Sequence, residues 1–85
     1  MKEVVEKLIN SSIAAYNMIV FDAFYSKEEG NKVFNIVLDS DEVIDSEKIT
    51  GASRIINKIM DETKEIPQDY DVLDIYSKEK GEDNE

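Results

Sequence analysis

Eighty-five residues make one domain at most, and a chain that short buries only about 60% of the surface its unfolded form exposes, so its core is thin. Cysteine and histidine are both absent, which excludes disulfides, thiolate metal sites and the commonest general acid–base side chain. Twenty acidic residues against ten basic ones leave a net charge of −10. Such a surface repels phosphate backbones and anionic lipid, so neither direct nucleic-acid binding nor membrane binding is expected, and a basic protein is the partner it would attract.

With 41% hydrophobic residues the chain can still build a core. No apolar run approaches the length of a membrane span, and Met1-Lys2-Glu3-Val4 lacks the apolar stretch of a signal peptide. The expected location is therefore cytoplasmic.

In chain order, Val4, Val5, Leu8, Ile9, Ser12 and Ile13 recur at helical spacing and predict a first helix from Lys2 to about Ala15, with Lys2, Glu3, Glu6, Lys7 and Asn10 on its wet side. Tyr16-Asn17 ends it. Met18 to Tyr25 is rich in β-branched and aromatic residues and reads as a strand. The polar Ser26 to Asn31 segment, with Gly30, reads as a hairpin loop, and Lys32 to Asp39 as a second strand. Phe34, Ile36 and Leu38 share one face of that strand, and Val33, Asn35 and Val37 the other. Two faces of nearly equal apolarity suit a strand central in its sheet.

Asp41 and Glu42 turn the chain, and Asp45 or Ser46 is placed to cap a second helix from Ser46 to about Thr63. Ile49, Ala52, Ile56, Ile59 and Met60 share one face of it, flanked by Ile55. Gly51 costs about 1 kcal/mol relative to alanine inside a helix, which a close approach of helix to sheet would offset. Pro67 bars further helix, and Ile66 to Tyr70 reads as a connector. Asp71 to Tyr76 predicts a third strand, and from Ser77 onward nothing could pack. The expected domain spans 1–77, with 78–85 a disordered acidic tail.

The order α-β-β-α-β predicts an α/β two-layer sandwich, a three-stranded sheet covered by two helices. A crossover through the second helix should be right-handed if strands two and three run parallel.

Few residues invite chemistry. Asp39-Ser40-Asp41-Glu42-Val43-Ile44-Asp45 has alternating carboxylates, but an EF-hand needs an oxygen ligand at Val43, glycine at Ile44 and glutamate at Thr50. A solvated turn with a helix-capping aspartate fits better. Ser53 has no base beside it, and the three glycines lie far apart, so no phosphate loop exists. No enzyme activity, metal or cofactor is expected.

A family resemblance rests on Leu38-Asp39, Ser53-Arg54, Met60-Asp61 and Ile66-Pro67-Gln68-Asp69-Tyr70, with a Gly30-Asn31 hairpin loop upstream. These runs resemble the N-terminal domain of the RimP ribosome maturation factor family, from near the start to Ser77. The sequence departs from that family at Ala15, where glycine is usual, and near Tyr70, where one residue is inserted.

The resemblance implies the same α-β-β-α-β domain and a partner on the small ribosomal subunit, with a basic ribosomal protein as the natural contact. The expected partner-binding residues are Asp39, Asp41, Glu42 and Asp45 of the acidic turn, with Arg54 and Tyr70. The plainer reading has Arg54 paired with Glu47 or reaching solvent, and the tyrosines as the rim of a thin sheet. Two rival functions remain open: an acidic nucleic-acid mimic inhibiting a nuclease or repressor, and a homodimer through a sheet edge.

Overall fold

The computed structural model describes residues 1–78. Helix α1 (Lys2–Ile13) and a 3₁₀ turn (Ala14–Tyr16) lead into strands β1 (Met18–Glu28) and β2 (Asn31–Ser40), followed by helix α2 (Ser46–Glu62) and strand β3 (Val72–Ser77). The architecture is the expected two-layer α/β sandwich. β2 is central, antiparallel to β1 and parallel to β3. A parallel pair cannot be joined by a tight turn, and α2 is the crossover that joins this one.

Val5, Ile9 and Ile13 lie four residues apart on α1 and are fully buried, while Ala52, Ile56 and Met60 do the same from α2. Between them and the sheet sit Val20 and Ala23 of β1 and Phe34, Ile36 and Leu38 of β2. The opposite face of β2 is also buried, at Val33, Asn35 and Val37, as its two-sided apolarity predicted.

Several local expectations need correction. Ser12, assigned to the apolar stripe of α1, is exposed, because Val5, Ile9 and Ile13 fill the contact alone with Val4 and Leu8 at its margins. Asn10, expected in water, accepts the Val20 backbone N–H at 2.9 Å. Val20 lies on the sheet's outer edge beside a bulge, where the register shifts between Val20 and Asp22, and the carboxamide takes a donor with no strand partner.

The hairpin loop is two residues, not six. Glu28 pairs with Asn31, and Glu29 and Gly30 take φ of 53° and 85°, the doubly positive turn whose twist matches the strands. Gly30→Ala should cost about 1 kcal/mol, since nothing crowds the position and only the left-handed backbone resists a Cβ. Chemical denaturation measures this, and an unchanged midpoint would contradict the turn.

Gly51 does mark a close approach, but the neighbour is Tyr16 rather than the sheet: a Cβ at Gly51 would lie 2.6 Å from the Tyr16 hydroxyl. Asp45 is the cap of α2, accepting the Lys48 backbone N–H at 2.8 Å, and Ser46 is the first helical residue. The connector after α2 is packed: Ile66 is buried, and the Gln68 carboxamide donates to the Met60 carbonyl at the helix end. β3 begins and ends one residue later than expected, and the Lys78 N–H donates to the Leu38 carbonyl at 2.7 Å. The rest of the expected tail, 79–85, lies outside the described residues.

Candidate partner-binding surface

The acidic turn is built where β2 leaves the sheet. Asp39 Oδ1 accepts the Ser40 N–H at 2.8 Å, and Ser40 Oγ accepts the Glu42 N–H at 3.1 Å, so side chains help fold the turn as the chain leaves β2. Glu42 is held from two sides: Lys48 Nζ donates to Oε1 at 3.1 Å and Asn17 Nδ2 to Oε2 at 3.4 Å. These donors, Lys48 first, hold its carboxyl below the usual glutamate range. Asn17 can reach it because it ends the 3₁₀ turn in the left-handed region, φ 59°, a conformation asparagine tolerates well.

A shallow cleft runs between the start of β1 and this turn, lined by Asn17, Ile19, Asp39, Ser40 and Asp41. An adjoining shallow cleft shares Asn17, Ile19 and Asp41 and is lined also by Ala14, Met18 and Glu42. The structure thus gathers Asp39, Asp41 and Glu42 about one exposed apolar residue, Ile19. Asp45 shares the loop, but its Oδ1 is bonded to the helix.

Arg54 and Tyr70 stand elsewhere. Arg54 is exposed on α2, and among the described residues it forms no ion pair with Glu47 or any other carboxylate. Tyr70 lies at the opposite end of β2, stacked on Phe34 with ring centroids 5.6 Å apart. Asp39 lies seven residue steps along β2 from Lys32, about 23 Å at the usual rise, so one small contact cannot take both Tyr70 and the acidic turn.

The Tyr70 end is a cluster that sequence reading did not find. Phe34 also packs on Tyr25, centroids 4.8 Å apart. Lys32 lies over the Tyr25 ring at 4.5 Å and bonds Asp69 at 2.8 Å. The Lys32 N–H donates to Asp71 Oδ2, and the Asp71 N–H returns a bond to the Lys32 carbonyl. Drawing β3 parallel to β2 would have brought Asp69 and Asp71 beside Lys32; the residue types by themselves suggest only a polar connector.

Lys32 holds the Asp69 carboxyl below the usual aspartate range. The folded form therefore binds this proton more weakly than the unfolded chain does. The resulting stability is present above about pH 4, the unfolded value, and is lost as pH falls through the lowered folded value. Asp69→Asn should make the acid limb shallower in melts from pH 7 to 2; an acid limb identical to wild type would mean the pair contributes nothing.

No helix among the described residues is long and apolar enough to cross a membrane, and none of their acidic side chains cluster in a way that could hold a metal ion. Two helices over one face of a three-stranded sheet, with an acidic turn where β2 ends, define a small α/β domain. The sequence model of the RimP N-terminal domain matches residues 8–77, and the chain belongs to that family. It is a family of ribosome maturation factors that associate with the small ribosomal subunit, and it is not known as an enzyme family.

Proposed function

We propose that this domain is a non-enzymatic, cytoplasmic binding module that assists maturation of the small ribosomal subunit by contacting one of its basic proteins. The observation that carries the reading is the convergence of Asp39, Asp41 and Glu42 about exposed Ile19 at the exit of β2. Carboxylates around an apolar centre suit a lysine- or arginine-bearing protein surface. Asp45 sets the loop's anchorage on α2, while Arg54 and Tyr70 lie outside this contact.

Co-sedimentation with purified small subunits tests it. Binding should be seen at low salt and weaken above about 0.15 M, where the Debye length is about 8 Å. Asp39→Asn, Asp41→Asn and Glu42→Gln together should weaken it further and leave the melting temperature nearly unchanged, because the cap at Asp45 is spared. A protein that ignores the subunit at low salt, or that inhibits a nuclease instead, defeats the ribosomal reading.

A further inference from the structure

The helices cover only one face of the sheet. Of the large hydrophobic side chains that the fold leaves exposed, five stand on the other face or its margin: Ile19, Phe21 and Phe24 from β1, and Val72 and Tyr76 from β3, each 36% to 54% exposed. The register explains their convergence. Phe24 lies opposite Asn35, while Val72 and Tyr76 lie beside Val33 and Val37, and all of these point away from the core residues Phe34, Ile36 and Leu38. The bulge after Val20 turns Phe21 to the same side, where Lys78 Nζ sits 4.3 Å from its ring centroid.

This face is ordered rather than loosely apolar. Asn35, buried at its centre, donates from Nδ2 to Ser26 Oγ at 2.9 Å and to the Phe24 carbonyl at 3.3 Å. Its Oδ1 accepts the Tyr76 hydroxyl at 3.2 Å. The carboxamide therefore links all three strands and holds the Tyr76 ring by its hydroxyl. Around them the charge is negative: Asp22 stands opposite Val37 and Asp74 beside Asn35. The Tyr76 hydroxyl is pushed above its ordinary value by burial first, and then by Asp74, Glu28 and Asp22.

We propose that the open face of the sheet is a second docking surface, and that its occupant is an extended basic protein segment alternating arginine or lysine with apolar side chains. Aromatic rings take the cations on their faces and the apolar residues between them, while Asp22, Glu28 and Asp74 complete the charge match. Lys78 already displays the contact in cis, a cation over Phe21. The other occupants fit poorly. A second copy would set like carboxylates against one another. The segment 79–85 has four acidic residues against Lys80 and no apolar side chain. Single-stranded RNA could stack on three rings, but its phosphates would meet three carboxylates. The inference rests on the reading above for the partner's origin on the subunit, but not for its chemistry.

The test is an NMR titration of ¹⁵N-labelled protein with a synthetic peptide alternating arginine and valine. Saturable shifts should centre on Phe21, Phe24, Asn35, Val37 and Tyr76, and the affinity should fall with salt. Phe24→Ser and, separately, the triple change Asp22→Asn, Glu28→Gln, Asp74→Asn should each weaken binding about tenfold, with melting temperatures within a few degrees of wild type. Lys78→Ala, which uncovers Phe21 and removes a repelling charge, should bind several-fold more tightly. Shifts confined to 39–45, an affinity unmoved by both weakening variants, tighter binding of oligouridine, or concentration-dependent shifts without peptide would each overturn the proposal. Loss of peptide binding with intact subunit co-sedimentation would refute this face alone, and the converse would refute the acidic turn alone.

Discussion

Ile56→Asp should abolish the cooperative thermal melt. Ile56 is fully buried at the middle of α2, between Ala52 and Met60 on the same face. Truncating a buried isoleucine costs about 2–5 kcal/mol from lost transfer energy and the cavity left behind. An aspartate adds the desolvation of a carboxyl with no partner within the core, several kcal/mol more. A domain of this size holds only about 5–15 kcal/mol in total, so the two losses together reach its whole stability. Ile56→Val is the control, with an expected loss of about 0.5–1.5 kcal/mol. Circular dichroism on heating separates the outcomes: a wild-type melt from the aspartate variant would mean α2 does not close the core.

Ile56 also shows why so much of the fold was legible. Apolar residues recurring every three or four positions in α2, and alternating in β2, report directly which face meets the core. Asp45 was readable as a cap because its position just before the apolar stripe has a chemical reason. The misassignments share a different cause. The polar type of Asn10 points it to water, yet a bulge in β1 leaves the Val20 N–H in need of an acceptor. Lys27 and Glu28 are polar and look like loop, although edge-strand positions near a turn can be polar and still pair, as these two do. Gly51 signalled a close neighbour correctly, but a single residue cannot say that the neighbour is Tyr16.

The candidate site was less legible than the fold, because surface chemistry depends on which distant segments meet. Asp39, Asp41 and Glu42 are close in sequence and stay close in space. Tyr70 is far from them because β2 is extended and β3 enters at its other end. The open face of the sheet draws its rings from β1 and β3, which touch only through β2, and its central Asn35 looks in the sequence like a weak spot in a strand. Side chains brought together by sheet register leave no local pattern to read.

Phe34→Ala should cost about 3–5 kcal/mol, the usual range for a buried phenylalanine, because this ring joins the main core to the Tyr70 end. It is fully buried and has Tyr25 on one side at 4.8 Å and Tyr70 on the other at 5.6 Å. Both tyrosines rely on it for their packing, and neither tyrosine ring has another aromatic contact among the described residues. A double-mutant cycle with Tyr70→Ala should therefore be non-additive by about 1 kcal/mol, the energy of one aromatic pair beyond its area. Tyr70→Ala in the wild-type background should destabilise, whereas in the Phe34→Ala background it should cost much less. That pattern would assign Tyr70 to the fold, where its ring holds the connector against β2. Strict additivity in denaturant melts would mean the rings do not support one another, and Tyr70 would return as a free side chain available to a partner.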